Sequence, residues 1–294
     1  MVVPFHVPTS VVTLDDGREL AYVEFGDPVG TAVLSCHGGL SSRLDAAPAH
    51  QAALDLGIRI ISPDRPGMGR STHQPGRTLL DWPGDVEQLA DALDLERFAL
   101  MGWSLGGAFA TVAAAKLPQR ATGLALLSSA VPLDVFGSTR GLTLDDRVLL
   151  FLTQHAPRLA DVAMRFFIGD ASDNRLFKEL ARSFPKVDRD VLKELLKEYG
   201  PHEAVAFVKE SMRQGTEGCL QDYRIFGAPW GFDLEEVTVP TQIWEGTDDH
   251  TGPPGYRELL KQHIPQATVT LVPHEGHLSL LPHHARSILK ALTS

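Results

Sequence analysis

From residue 32 to residue 128 the chain alternates strand-length apolar runs with longer segments of helical spacing. The runs are residues 32–36, 58–62, 98–103 and 122–128; helices are predicted between them at 44–56, 79–95 and 105–117. A run that is apolar on nearly every residue belongs to a strand buried on both faces. Alternation of such strands with helices predicts a parallel sheet with helices on both sides. Its crossovers should be right-handed, and an active site should lie beyond the carboxyl ends of the strands. A hairpin is expected before this block, from two β-type segments at 11–14 and 19–25 around Asp15, Asp16 and Gly17.

After Ser129 the alternation stops. Residues 142–223 read as helical, with apolar spacing at Val148, Leu149 and Leu152 and again at Leu192, Leu195 and Leu196. Asp173 and Asp188 stand where helix N-caps would be. The alternation resumes with a strand at 239–244, a helix at 256–263, a strand at 268–272 and a last helix at 282–292. The expected organisation is an α/β core of residues 1–130 and 233–294, interrupted by a helical insertion at 131–232. There is no internal repeat and no low-complexity tract.

Charge separates the two parts. The insertion carries 14 Lys and Arg against 15 Asp and Glu, and the remainder 13 against 22. A net charge of −10 repels phosphate backbones, which argues against a nucleic-acid partner. Two cysteines, Cys36 and Cys219, make no disulfide framework and fit a reducing compartment. The opening MVVPFHVPTS has neither a basic region nor a long apolar run, so no signal peptide is expected. No stretch reaches the ~20 apolar residues of a membrane helix. A cytoplasmic protein acting on a small molecule, without a membrane partner, is the resulting expectation; the oligomeric state stays open. Walker, dinucleotide and zinc patterns are missing, so neither cofactor nor metal is expected.

Gly102-Trp103-Ser104-Leu105-Gly106 stands between the run at 98–103 and the helix at 105–117. A serine on a sharp strand-to-helix turn is forced outward with its Oγ exposed, and the flanking glycines leave room for the turn. The helix N-terminus adds partial positive charge beside a developing oxyanion. A glycine-rich turn with a capping serine is the plain alternative; the strand before and helix after favour a nucleophile.

With these elements in place, the chain resembles the α/β-hydrolase fold family over nearly its whole length. Four further segments match the family in order. Cys36-His37-Gly38-Gly39 follows the third strand, at the family's oxyanion turn. Asp64 to Ser71, reading DRPGMGRS, resembles its D-x-x-G-x-G-x-S loop. Gly246-Thr247-Asp248-Asp249, with Pro253 downstream, matches its acid turn. Gly276-His277 follows the last strand, where the family has its histidine. The insertion lies where many members carry a cap, and the ending HEGHLS resembles the bacterial members with a DRPG loop. The resemblance implies a mostly parallel sheet flanked by helices, and a triad of Ser104, Asp249 and His277. It also implies an oxyanion hole formed by the N–H groups of Gly39 and Leu105. His37 is structural in this family. His277 is preferred over His274, His283 and His284 because it follows a glycine on the loop after the last strand. Asp64 to Ser71 reads as scaffold, with Arg65 paired to a carboxylate.

The resemblance implies carboxylic ester hydrolysis through an acyl-enzyme. Lactone, amide and C–C bond hydrolysis use the same parts. A lyase or peroxidase on the same triad, and a receptor binding its ligand in the cap cavity, are rivals from other classes. A serine at the nucleophile position disfavours the epoxide-hydrolase and dehalogenase mechanisms. The turn His37-Gly38-Gly39-Leu40 lacks the Pro-Gly ending common in proline iminopeptidases. Substrate contacts are expected from Trp103, Leu40 and Trp230. Of Phe151, Leu152, Phe166, Phe167 and Trp230, most should form the insertion's own core and the rest an apolar pocket for small-to-medium uncharged substrates.

Overall fold

The computed structural model describes residues 7–136, 142–169, 171–251 and 255–294. An eight-stranded sheet runs in the order β1-β2-β4-β3-β5-β6-β7-β8. Its strands are β1 (Ser10–Thr13), β2 (Glu19–Gly26), β3 (Thr31–Cys36), β4 (Ile58–Pro63), β5 (Phe98–Trp103), β6 (Ala121–Leu127), β7 (Thr241–Gly246) and β8 (Ala267–Val272). Strand β2 is antiparallel to β1 and β4; every other pairing is parallel. Strands β3, β5 and β6 are buried along almost their whole length, as their unbroken apolar runs require. Strand β7 starts two residues later than its apolar run, after Pro240, which has no N–H to give the ladder.

Helices α1 (His50–Leu56), α2 (Trp82–Ala92) and α3 (Gly106–Lys116) connect the first parallel strands. The single helix expected at 44–56 is instead a 3₁₀ segment, Arg43–Ala49, leading into α1. Pro48 lies at that junction and cannot donate an i→i−4 hydrogen bond. Helix α3 is buried from Gly106 to Ala115. Its two glycines and run of alanines let it sit close to the sheet, and Phe109 meets the Trp82 ring edge-on at 5.9 Å.

Between β6 and β7 the chain is helical: α4 (Leu133–Phe136), α5 (Leu144–His155), α6 (Pro157–Met164), α7 (Asp173–Ser183), α8 (Lys186–Tyr199), α9 (Pro201–Ala204), α10 (Ala206–Ser211) and α11 (Glu217–Phe226). The N-caps of α7 and α8 are Ser172 and Pro185. Asp173 and Asp188 therefore lie inside the first turns rather than at the caps. Ser172 supplies the capping acceptor for α7, and Asp188 is engaged elsewhere. Helix α12 (Tyr256–His263) joins β7 to β8, and α13 (Leu280–Leu292) ends the chain. Among the described residues, no helix is long and apolar enough to cross a membrane.

Strand register positions the site. Cys36 pairs with Gly102, Trp103 with Leu127, Leu127 with Trp244, and Gly246 with Val272. The carboxyl ends of β3, β5, β6, β7 and β8 therefore share one edge. The loops carrying Gly39, Ser104, Asp249 and His277 all leave from it.

Candidate active site

Ser104 occupies the left-handed region, with φ of 54°. A non-glycine residue there is strained by about 1–2 kcal/mol, so the surroundings must hold it. Its N–H donates to the Leu127 carbonyl at 2.9 Å, and its carbonyl accepts from Gly107 at 2.9 Å and Ala130 at 3.0 Å. The flanking glycines are required by space. A Cβ on Gly102 would meet the Gly106 carbonyl oxygen at 2.6 Å, and one on Gly106 would meet the Cys36 carbonyl oxygen at 2.0 Å. That close approach packs the start of α3 against the end of β3. Gly39 and Leu105 are neighbours as a result: a Cβ on Gly39 would lie 3.4 Å from a Leu105 methyl.

The turn after β3 is pinned from behind. Gly38 N–H donates to Asp45 at 2.8 Å, and the Gly38 carbonyl accepts from Arg65 Nη2 at 2.8 Å. Arg65 Nη1 also donates to the His37 carbonyl. His37 Nε2 accepts from the Arg65 N–H at 3.1 Å, so its proton is on Nδ1, which donates to the Gly38 carbonyl. Burial and the Arg65 charge hold His37 well below the ordinary histidine range, so it stays neutral. The carboxylate partner of Arg65 is Asp222 on α11, at 2.7 Å, and Asp222 also binds Arg77. All three charges are buried. Burial raises the Asp222 carboxyl, but the two guanidinium groups outweigh it and hold the pKa below the usual carboxylate value.

His277 Nδ1 lies 2.9 Å from Asp249 Oδ2 and 2.7 Å from Thr251 Oγ1. The Thr251 hydroxyl donates to Asp249 Oδ1 at 2.7 Å, as does its N–H at 2.9 Å. Its oxygen is then an acceptor toward the ring. A carboxylate and an already-donating hydroxyl both face Nδ1, so the proton resides there and Nε2 keeps its lone pair. Burial raises the Asp249 carboxyl, yet the His277 charge and the hydrogen bonds from His277 and Thr251 bring its pKa below the ordinary range. Burial alone would lower the His277 pKa; the Asp249 carboxylate more than reverses this and raises it. Trp103 meets the His277 ring on one side at 5.2 Å and donates its indole N–H to the His277 carbonyl at 3.1 Å. Phe184 stacks on the ring at 6.1 Å.

Ser104, His277, Gly39 and Leu105 all line one cavity of about 640 Å³ between the sheet edge and the inserted helices. Trp103 and Leu40 line it too, as does Leu152, while the inserted side adds Leu149, Phe207 and Phe226. Trp230 is elsewhere: it is buried in the main core, stacked on Phe232 at 6.0 Å. That removes it from the substrate contacts. Phe151 and Phe166 are 60% and 57% exposed, so neither contributes to a core of the insertion. Phe151 stacks on His155, and Phe166 lies under the Arg175 guanidinium. The Phe167 side chain and Pro253 fall outside the described residues. The other three histidines of the ending lie apart from this cavity: His283 and His284 both bind Glu275, and the His274 N–H donates to Thr247. Asp248 bonds Thr247 at 3.2 Å. Among the described residues, no group of His, Cys, Asp and Glu is arranged to hold a metal ion.

Residues 31–284 match the family described as alpha/beta hydrolase fold. The chain belongs to that family and is an enzyme. An uncharacterized hydrolase of Bacillus subtilis is 26% identical over 275 residues, covering 90% of this chain and 89% of its own. A non-heme chloroperoxidase of Streptomyces lividans is 29% identical over 285 residues, covering 92% of each. A solved thermophilic esterase from Thermogutta terrifontis superposes with a TM-score of 0.70 over 97% of this chain and 96% of its own, at 22% identity, which speaks for the fold. Thr251, Phe184 and Asp222 escape a reading of the sequence. Thr251 alone leaves a local signal, as the residue two after Asp249 whose N–H closes a turn on that carboxylate.

Proposed function

We propose that the protein is a serine hydrolase of carboxylic esters with small-to-medium, uncharged acyl or aryl groups. The observation that carries this is the state of His277. Its Nδ1 is committed to Asp249 and Thr251, its Nε2 is free to take a proton, and its ring shares a cavity wall with Ser104. In the reaction, His277 Nε2 takes the Ser104 Oγ proton while Oγ bonds the acyl carbon. The carbonyl oxygen becomes an oxyanion facing the N–H groups of Gly39 and Leu105. Collapse breaks the ester C–O bond, and His277 returns the proton to the departing alkoxide. Water, deprotonated by His277, then cleaves the acyl-enzyme.

The inserted segment, residues 131–232, acts in this reading as a cap that roofs the cavity. Its apolar side chains favour uncharged substrates. The free, buried cysteines fit a cytoplasmic setting. Likeness to a chloroperoxidase supports a second reading on the same acyl-enzyme: hydrogen peroxide replaces water as nucleophile and releases a peracid. The test is labelling by a fluorophosphonate beside a panel of chromogenic esters, for the parent and for Ser104→Ala. Loss of labelling and a fall in turnover on the order of 10⁴-fold or more in the variant are expected. An alanine variant that still hydrolysed esters near the parental rate would remove Ser104 from the mechanism. Peracid formation outpacing hydrolysis would favour the second reading.

A further inference from the structure

Asp188 is the third residue of α8, and it is fully buried. A carboxylate in a first turn usually serves its own helix. This one faces away, toward the loop that carries His277. Its Oδ2 accepts from the His277 N–H at 2.8 Å, and its Oδ1 accepts from Leu278 at 3.0 Å and Ser279 at 2.9 Å. These three N–H groups lead into α13 and would otherwise be orphaned at a helix start. The fit excludes a side chain on the neighbouring residue: a Cβ on Gly276 would meet the Asp188 carboxylate at 2.4 Å. The glycine before the histidine is therefore needed for this contact.

The same stretch of chain holds His277 a second time. Phe184, two residues before α8, stacks on the imidazole. With Trp103 donating to the His277 carbonyl, the backbone of His277 is fixed at its N–H from the insertion and at its C=O from the core. We infer that Asp188 is a positioning residue for His277, so that the insertion mounts the base as well as roofing the cavity. This rests on the reading of His277 as the general base. Displacing a reacting group by an ångström lowers rates by about 100-fold, so the mount has a kinetic signature. The charges facing His277 are Asp249 after β7, Asp188 on α8 and Asp146 on α5, and each favours the imidazolium.

The test compares Asp188→Asn and Gly276→Ala with the parent on a chromogenic ester. Asn keeps one acceptor oxygen but loses the charge and the second acceptor. Its kcat should fall roughly 10- to 100-fold with KM within about twofold. The acid limb of its kcat/KM profile should also move to lower pH, which a merely structural role would not cause. Gly276→Ala disturbs the contact from the other side and should lower kcat while leaving KM near parental. In the parent, the amides of His277, Leu278 and Ser279 should be among the slowly exchanging ones. Parental kcat and an unmoved acid limb in Asp188→Asn would overturn the inference, as would fast exchange of these amides. If Asp188→Asn does not fold, Gly276→Ala and the exchange measurement decide. A parent that is neither labelled by fluorophosphonate nor active on esters would instead sink the hydrolase reading.

Discussion

The Thr251 hydroxyl oxygen lies 2.7 Å from His277 Nδ1, closer than the Asp249 carboxylate at 2.9 Å. It donates to Asp249 and accepts from the imidazole, so it links the two groups whose relative placement decides which tautomer forms. Thr251→Val removes the hydroxyl with little change of shape. A hydrogen bond to a charged group contributes about 1.5–3 kcal/mol, so kcat should fall roughly 10- to 100-fold. Thr251→Ser, which keeps the hydroxyl, should recover most of the loss. Steady-state kinetics of both variants check this, and equal damage in the two would assign the effect to packing.

Asp249 and His277 give two opposite dependences on pH. The folded-state pKa of Asp249 lies below its unfolded value of about 3.9. The stability it contributes is present above that value and is lost as acid protonates it through its folded pKa. For His277 the folded pKa lies above its unfolded value of about 6.5. Its contribution is complete below that pH and disappears as pH rises through the folded pKa. The proposed mechanism uses neutral His277 as the base, so kcat/KM should rise with pH on the alkaline side of the ordinary histidine value. The stability gap between the parent and His277→Gln should shrink over the same pH range. Chemical unfolding at several pH values, set beside the rate profile, checks both; a rate flat down to pH 5 would remove histidine as the base.

Asp146 is one of three carboxylates on the cavity wall, with Asp145 and Glu179. It lines the wall, and it is held by the Thr143 hydroxyl at 2.7 Å and the Tyr223 hydroxyl at 3.0 Å. Among the described residues, no lysine or arginine lines the same cavity. An ester bearing a carboxylate should therefore turn over more slowly than its uncharged analogue. Asp146→Asn should narrow that ratio by roughly 3- to 10-fold, the effect of one partly screened charge. The measurement is kcat/KM for a matched pair of esters, and an unchanged ratio would free Asp146 of this role.

The strands and their loops were legible because unbroken apolar runs are local patterns: β5 spans the same residues, Phe98–Trp103, in sequence and structure. Loops at one sheet edge follow from strand order, which is why Ser104, Asp249 and His277 share a neighbourhood. The contacts from the insertion leave no such pattern. Asp188 and His277 are 89 positions apart, and Arg65 and Asp222 are 157 apart. A buried carboxylate reads in sequence like any solvated one on a helix, and at Asp188 the sequence pointed to an N-cap. Trp230 was misplaced for a related reason: composition shows that an apolar residue is buried, not which surface buries it.

Asp222 links the inserted helix α11 to the turn behind Gly39, through Arg65. Removing one partner from a buried ion pair leaves an uncompensated charge and costs about 3–5 kcal/mol. Asp222→Ala should lower the free energy of unfolding by that amount, far more than an exposed pair such as Lys186 with Asp190 would. Urea unfolding of the two single variants, Asp222→Ala and Asp190→Ala, makes the comparison. A loss below about 1 kcal/mol for Asp222→Ala would mean that the two arginines find other partners.

Asp248 and Asp249 are adjacent carboxylates on one turn, and only one reaches the imidazole. The Asp249 side chain is 4% exposed and contacts His277 Nδ1. The Asp248 carboxylate accepts from Thr247, and its N–H donates to the Glu275 carbonyl at 2.9 Å. In the proposed mechanism, Asp249→Asn removes the charge that favours the imidazolium formed during attack. It also presents an amide that can donate to Nδ1 and so drive the proton onto Nε2, the wrong tautomer for a base. A fall in kcat of roughly 10³ to 10⁴ is expected. Asp248→Asn loses only a partly exposed charge, whose field is screened by solvent, so kcat should change less than about tenfold. Both variants should fold, since neither leaves a buried charge unpaired. Side-by-side kinetics at the pH optimum separate them; a dead Asp248 variant with an active Asp249 variant would transfer the orienting role to Asp248.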